Sequence, residues 1–477
     1  MKKNIYTTIF IFISCVLFLF FIVGLFRNPY GPQRLIFFQG ILDFFADFYN
    51  VLHYIADRNP YFNPRFGPGA KTYFPLTYLI LYPFSQLDDF ATMSLQEAWN
   101  SRIGLVSVFL FTCFSVFLLL TALNQIAKKY LVSPLLLISL VLSYIFFCSI
   151  ERGNMAVLSA ACIGFFICYY DSKNKYKRML AVISLALAAT FKIFPVLFGF
   201  LYFEKKQYRE ILLSAIITLV LVFLPFLFLK GGFSNIPQLV RNMGFSVSPS
   251  GSLDPSLQSG SSAPIDPSLK SGSSAPIDPS LPSGSTIPPS SSLPRIITFF
   301  YPSNNYFVSS YTRFSVPHLI YYFLSQFKFH ENIEYDEVIK FSLSNIAQII
   351  TYFLCLISIV FSCLIKDKWW KISLLTIALV FFPVDSGLYC GLYIFPMIII
   401  FFGTLEKRST VFNVFAVIVF LVFLNPYQII INYTLAGYLT SYNYIFINIA
   451  LIMFWLVLLV YSGMQLVLFY SIRKSRE

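Results

Sequence analysis

The chain has 477 residues, 57% of them hydrophobic and 12% charged, with a mean hydropathy of +0.72 and a formal net charge of +13. Ordinary soluble domains carry roughly a quarter charged residues, so a soluble fold is excluded. The basic excess does not call for a nucleic-acid partner either, because the lysines and arginines cluster at the ends of apolar runs, as membrane-orientation signals do.

Runs of about 18 or more mostly apolar residues recur along the chain, each long enough to cross about 30 Å of hydrocarbon as a helix. A β-barrel would show alternating polarity instead. The sequence therefore predicts an all-α polytopic membrane protein. Lys2 and Lys3 precede an apolar run over 6–26, which is longer than a signal-peptide core and lacks a small-x-small cleavage site after it. This reads as an uncleaved signal anchor with its start in the cytoplasm.

Residues 27–100 then form a first outer loop. Its most informative stretch is DFFADFYNVLHYIADRNPY, residues 43–61. On a helix, Asp43, Asp47, Asn50 and Tyr54 fall within roughly 60° of one another, opposite Phe44, Phe48, Val51, Leu52 and Ile55. That pattern predicts an interfacial helix with one polar face and one greasy face. The Pro/Gly-rich NPYFNPRFGPG follows, then the apolar TYFPLTYLILYPFSQL, too short and proline-broken for a span and expected to dip into the membrane surface.

Further spans are predicted near 102–125 and 132–150, the latter leaving the membrane at ERGN, Glu151 to Asn154. The next span returns to the basic DSKNKYKR. Residues 179–203 have basic flanks on both sides and a break at FKIFP, so they read as a hairpin of two short helices with Lys192 near its far end. After a span over 210–229 comes a second outer loop, in which DPSL recurs at Asp254, Asp266 and Asp278 within a Ser/Pro/Gly background. The segment 247–294 is low-complexity, expected to be disordered and without a catalytic part. SVPHLIYYFLSQF, 315–327, is interfacial, and later spans lie near 340–364, 370–384, 387–404, 410–424 and 444–468. Counting the hairpin twice gives about twelve crossings. The organisation is an amino-terminal membrane module, 1–230, an outer loop, 231–338, and a carboxy-terminal membrane module, 339–477. The inner segments hold 19 of the 34 basic residues and six of the 21 acids, as positive-inside topology requires.

Within so apolar a chain, the polar residues at the outer ends of spans are the candidates for chemistry. A carboxylate beside an outer aqueous pocket can act as a general base on an attacking hydroxyl, and Asp43 or Asp47 has that position. Two solvated acids on a wet helix face is the competing reading. Arg152 and Lys192 offer cations for a phosphate group, since guanidinium and ammonium groups bind phosphate oxygens through charge-assisted hydrogen bonds. Arg152 can equally pair with Glu151, whereas a lysine left in lipid is costly without a purpose. Asp57 and Arg58 read as an exposed pair or cap, and Asp385 as a helix-terminus residue. The eight cysteines all sit in apolar runs without a CxxC pair, and the three histidines are scattered, so no metal or other cofactor is expected.

Four stretches carry a family resemblance: the Asp-Phe helix running into Pro-Tyr (Asp43 to Tyr61), the Tyr-x-Pro with a Leu-rich run and second proline (Tyr73 to Pro83), ERGN opening a span, and KIFP after a small-residue helix. Together, over about residues 1–230, they resemble the GT-C membrane glycosyltransferases, and within them glycosyltransferase family eighty-seven, polyprenol-phosphate-mannose-dependent α-1,2-mannosyltransferase-like proteins. The resemblance implies a GT-C-like bundle with interfacial helices in the first outer loop, a polyprenyl-phosphate sugar donor, and a glycan or glycolipid acceptor. It also implies transfer on the non-cytoplasmic face, here the outer face of a bacterial plasma membrane. By position Asp43 matches the family's catalytic aspartate best, with Asp47 second, while Glu151, Arg152, Asn154, Lys192 and Tyr61 fall on motif positions expected to meet donor or acceptor. The repeat-rich outer loop departs from the pattern. A lipid-linked-sugar flippase and a polysaccharide polymerase or ligase are the rival functions; the first predicts an inverted repeat that the sequence does not show.

Overall fold

The computed structural model describes residues 2–27, 45–64, 71–243, 313–325, 333–383, 386–424 and 440–474. Asp43, Asp385 and the 247–294 repeats lie outside the described residues. What is described is helical, apart from one antiparallel pairing of two-residue strands.

Helix α1 (Lys2–Arg27) is followed by a cap of three short helices, α2 (Ala46–Ile55), α3 (Pro75–Ser85) and α4 (Leu95–Asn100). The bundle continues through α5 (Arg102–Lys129), α6 (Pro134–Val141), α7 (Tyr144–Glu151), α8 (Ala156–Tyr169) and α9 (Lys175–Phe191). A 3-10 turn, Phe194–Gly199, leads into α10 (Phe200–Glu204), and α11 (Tyr208–Phe223) and α12 (Asn235–Asn242) complete the amino-terminal part. The carboxy-terminal part comprises strand β1 (Arg313–Phe314), α13 (Val316–Ser325), α14 (Ile333–Leu364), α15 (Lys368–Phe381), β2 (Ser386–Gly387), α16 (Phe395–Gly403), α17 (Thr410–Leu424) and α18 (Thr440–Lys474).

Hydroxyl and carboxamide caps and prolines set the boundaries. Ser94 and Glu97 form a reciprocal capping box at α4. The Ser101, Ser133 and Ser143 hydroxyls accept from backbone N–H groups at the starts of α5, α6 and α7, and Asn174 and Asp367 do the same for α9 and α15. Between α6 and α7 the axis bends by 55°. There the Ser143 hydroxyl donates to the Leu140 carbonyl at 2.6 Å while accepting from the Phe146 N–H, which satisfies backbone groups opened by the bend. Prolines at the first positions of the turns after α9 and α11 bring tighter helical geometry into otherwise apolar segments.

Among the described residues, Arg102–Lys129, Tyr208–Phe228, Ser342–Leu364 and Ile447–Leu468 are long and apolar enough to cross a membrane, and the bent pair α6 and α7 makes a fifth if taken as one span. The chain is a polytopic membrane protein, with four to five candidate spans by length and composition among the described residues. Breaks split or shorten other predicted spans, as in the apolar pieces Ala156–Tyr169, Phe194–Glu204 and Leu388–Gly403. The expected hairpin over 179–203 takes the form of α9, an extended residue at Lys192, and a return through 194–204.

Two apolar clusters hold the molecule together. The larger runs from Phe10 through Leu136, Phe166 and Leu201 to Trp369, Ile398 and Trp455, so both halves share one core. The smaller joins the cap residues Phe48, Leu52, Tyr61 and Tyr78 to Phe111, Met155 and Leu239. In this second cluster the sequence expectation for residues 43–55 needs correction. Helix α2 does not lie with one face open to water: Tyr54, expected on the wet face, is fully buried, and only Asp47 and Asn50 within the helix remain partly exposed. Aromatic packing from the rest of the cap closes over it, with Phe48 against Phe84 and Phe111 and Tyr49 against Phe90.

Charged side chains also pair across elements. Asp171, just past α8, accepts from Lys129 at 2.9 Å and Lys368 at 2.7 Å, which ties together the end of α5 and the start of α15; Lys371 pairs with Glu204 and Arg178 with Glu210. Burial works against ionisation of Asp171, but the two lysines outweigh it and hold the carboxyl below its ordinary range.

Helices α5 and α8 approach closely because Gly164 faces Ala122: a Cβ at Gly164 would lie 2.9 Å from the Ala122 Cβ. Gly164→Val is expected to force these helices apart and to lower the thermal unfolding temperature of the detergent-solubilised protein, at an overpacking cost of about 1–3 kcal/mol. An unfolding temperature equal to that of the unsubstituted protein would show that the contact has slack.

Candidate active site

The site is built on the turn between α7 and α8, where each residue of ERGN has a separate task. The Glu151 carbonyl accepts from the Phe45 N–H at 2.7 Å, and the Arg152 carbonyl from the Asp47 N–H at 3.2 Å, so the turn binds backbone donors at the start of α2 that the helix itself leaves unpaired. Gly153 adopts φ +61, and a Cβ there would lie 2.8 Å from the Phe48 Cβ. Only glycine allows both the left-handed conformation and this approach. The Asn154 Oδ1 accepts from the Ala156 N–H at 2.8 Å and caps α8.

The side chains of the same turn converge on Asp47. The Arg152 Nη2 donates to Oδ1 at 3.0 Å and its Nε to Oδ2 at 3.3 Å, a two-pronged pair. Asn154 Nδ2 adds a third bond to Oδ2 at 2.7 Å and also lies 3.1 Å from the Tyr73 hydroxyl oxygen. Asn154 is buried, while the Asp47 and Arg152 side chains keep 19% and 25% of their exposure. The charged pair is thus anchored from inside and reachable from outside.

Tyr73 links this cluster to the hairpin. The Lys192 ammonium lies 4.8 Å from the centre of the Tyr73 ring and 5.3 Å from that of Tyr389, in the cation–π range for both. Lys192 is extended, with φ −146 and ψ 127, because the helix ends there ahead of Pro195. Desolvation, reinforced by the Asp47 carboxylate, pushes the Tyr73 hydroxyl well above its ordinary pKa, so Tyr73 stays protonated beside the carboxylate.

Of the residues singled out from sequence, Asp47, Arg152, Asn154 and Lys192 come together at one end of the bundle. Tyr61 stands behind them: it is buried, its hydroxyl donates to the Tyr73 carbonyl at 2.9 Å, and its own carbonyl accepts from Asn242. Glu151 is 6% exposed and joins the site through its backbone carbonyl. Asp57 accepts from the Asn59 N–H at 3.1 Å and stabilises the turn after α2. Sequence reasoning missed Tyr389 altogether and took Tyr73 only as part of a motif. Tyr389 lies in the same short stretch as Asp385, but nothing in its spacing ties it to Lys192, nearly 200 residues earlier.

A polytopic bundle with a carboxylate, two cations and ordered aromatic rings at one end has the layout of a membrane enzyme. Residues 72–255 match the family model of Glycosyltransferase family 87, and the chain is accordingly an enzyme of the transferase class, a membrane glycosyltransferase. The match contains Tyr73, Arg152, Asn154 and Lys192 but begins beyond Asp43, Asp47 and Tyr61, and ends before Tyr389. No curated protein matches the chain.

If the ERGN turn works as a unit, Gly153→Ala costs about 1–2 kcal/mol from the left-handed backbone alone, and more from the contact with Phe48. In chemical unfolding, Asp47→Asn and Arg152→Gln together are expected to cost less than the sum of the two single substitutions, with a coupling of about 1–3 kcal/mol. Additive effects would show that the two side chains act independently.

Proposed function

We propose that the protein transfers a hexose, of the mannose type, from a polyprenyl-phosphate donor to the hydroxyl of a glycan or glycolipid acceptor on the non-cytoplasmic face of a bacterial plasma membrane. The observation that carries this reading is the assembly of Arg152 and Lys192 at the same end as Asp47. When the sugar–phosphate bond breaks, the lipid phosphate departs with its negative charge, and two fixed cations stabilise that charge as it develops. The family match supports the glycosyl-transfer part of this reading.

In the proposed displacement, a carboxylate takes the proton of the acceptor hydroxyl as its oxygen attacks the anomeric carbon. The bond to the phosphate oxygen breaks with inversion, and the electron pair leaves on the lipid phosphate. Asp47 has three donors on its two oxygens, which commits it to holding Arg152 and Asn154. The base is therefore assigned to Asp43, and Asp47 becomes the residue that orients the cation.

The topology proposed here retains about twelve crossings, with the broken segments as full passes of a GT-C-like bundle divided between modules 1–230 and 339–477. Helix α8 supports this: it starts beside Asn154 and ends beside Asp171, so it joins the candidate site at one end to the lysine-rich ion pairs at the other. Positive-inside orientation then puts the site outside.

Asp43→Asn in purified, folded protein supplied with a polyprenyl-phosphate sugar is expected to lower turnover about 10²- to 10⁴-fold, with the donor KM nearly constant. Undiminished transfer would remove Asp43 from the mechanism. For the topology, Ser262→Cys is expected to react with a membrane-impermeant thiol reagent added to intact cells; modification from the cytoplasmic side alone would overturn the orientation.

A further inference from the structure

The matched family segment ends before residue 313, yet the candidate site includes a ring from the carboxy-terminal half. Tyr389 follows β2, which pairs antiparallel with β1 so that Arg313 lies opposite Gly387 and Phe314 opposite Ser386. The pairing fixes the main chain two residues before Tyr389. It does not by itself bring the ring to Lys192.

Gly387 accounts for the rest. A Cβ built on Gly387 would lie 2.3 Å from Cε1 of Tyr389, 2.7 Å from Cζ and 2.9 Å from Cδ1. The tyrosine ring therefore lies across the face of the glycine, in space that any other residue would fill. Gly387 has no unusual φ here, since its backbone is extended at φ −63 and ψ 158, so the requirement for glycine is one of room for the ring. From that position the ring comes within 5.3 Å of the Lys192 ammonium, which also lies 4.8 Å from the Tyr73 ring.

We propose that Tyr389 is a positioning residue for Lys192, closing with Tyr73 an aromatic clamp on the ammonium, and that Gly387 is the specificity-determining small residue that admits it. Aromatic faces attract a cation through their quadrupole without accepting its proton, so the clamp fixes where the positive charge sits. The ligand class is a lipid monophosphate, and on this point the inference rests on the proposed function. The clamp spans the two halves of the chain and makes the carboxy-terminal half part of the donor site.

Two readouts test it. The first is Lys192 reactivity toward acetic anhydride in protein reconstituted in nanodiscs, followed by peptide mass spectrometry. Tyr389→Leu and Gly387→Ala are each expected to change the labelling rate several-fold, whereas Tyr389→Phe, which keeps the ring, stays near the unsubstituted rate. Equal labelling in all four proteins would overturn the clamp, whatever the ligand does. Should Gly387→Ala fail to fold, the comparison of Tyr389→Leu with Tyr389→Phe decides alone.

The second readout is binding of undecaprenyl phosphate to the same nanodiscs. Tyr389→Leu is expected to weaken binding roughly tenfold, in line with one desolvated cation–π contact, and to have no further effect in a Lys192→Met background. A loss that persists in that background means Tyr389 acts independently of Lys192 and sinks the inference. Unchanged binding in Lys192→Met alone, with the labelling response intact, instead rejects the lipid-phosphate role of Lys192 and leaves the clamp as a structural feature.

Discussion

The site depends on one carboxylate held from a distance. Asp47 accepts three hydrogen bonds from Arg152 and Asn154, more than 100 residues further along the chain, and those bonds join the cap to the bundle. Because the same turn also takes up the N–H groups of Phe45 and Asp47, the start of α2 is fixed by backbone and side chain together. Removing one partner would strand a half-buried charge, which costs more than the pair itself contributes. The ERGN motif is thus a structural clamp whose partly exposed edge carries the Arg152–Asp47 charge pair.

Membrane spans were legible because hydrocarbon imposes a length and an apolar composition that few other contexts produce. Proline and serine boundaries were legible at FKIFP and less so within 132–150, where a 55° bend between α6 and α7 lies inside what reads as one apolar run. Helix α2 shows the limit of periodicity. Its polar stripe is real, but Tyr54 on that stripe is buried under the cap, since an amphipathic pattern says which residues share a face and not what covers it. Likewise Arg152 is a cation at a span end, for which the sequence leaves open a phosphate, Glu151 or the helix end itself. Its two-pronged pair with Asp47 is a contact between distant segments that spacing along the chain does not encode.

The halves of the chain meet in two ways. Apolar packing joins them, with Phe10 of α1 against Phe402 of α16 and with residues from Leu119 to Leu459 in one cluster. At the far end of α8 from Asn154, Asp171 is shared by Lys129 and Lys368, so an ion pair fastens α8 to α15 where the lysines also mark the cytoplasmic side of the proposed topology. A charged network at that end and a charged cluster at the other leave the length of α8, about 21 Å for 14 residues, as the apolar interval between them.

That separation bears on the chemistry. A transferase that uses a nucleotide sugar has to bind a diphosphate and a base, and loops rich in glycine at helix starts are a frequent solution. A donor anchored in lipid brings its leaving group to the membrane surface already, and what it needs there is positive charge held at a fixed depth. Lys192 lies at the extended break after α9 and Arg152 at the end of the bent pair α6 and α7, so both cations sit beside breaks in apolar segments. A lysine on an unbroken helix would snorkel along a flexible stem. Lys192 instead sits at a backbone break ahead of Pro195, with its ammonium in the cation–π range of the Tyr73 and Tyr389 rings. The breaks that shorten the spans below the usual crossing length are, on this argument, the same features that place the charges.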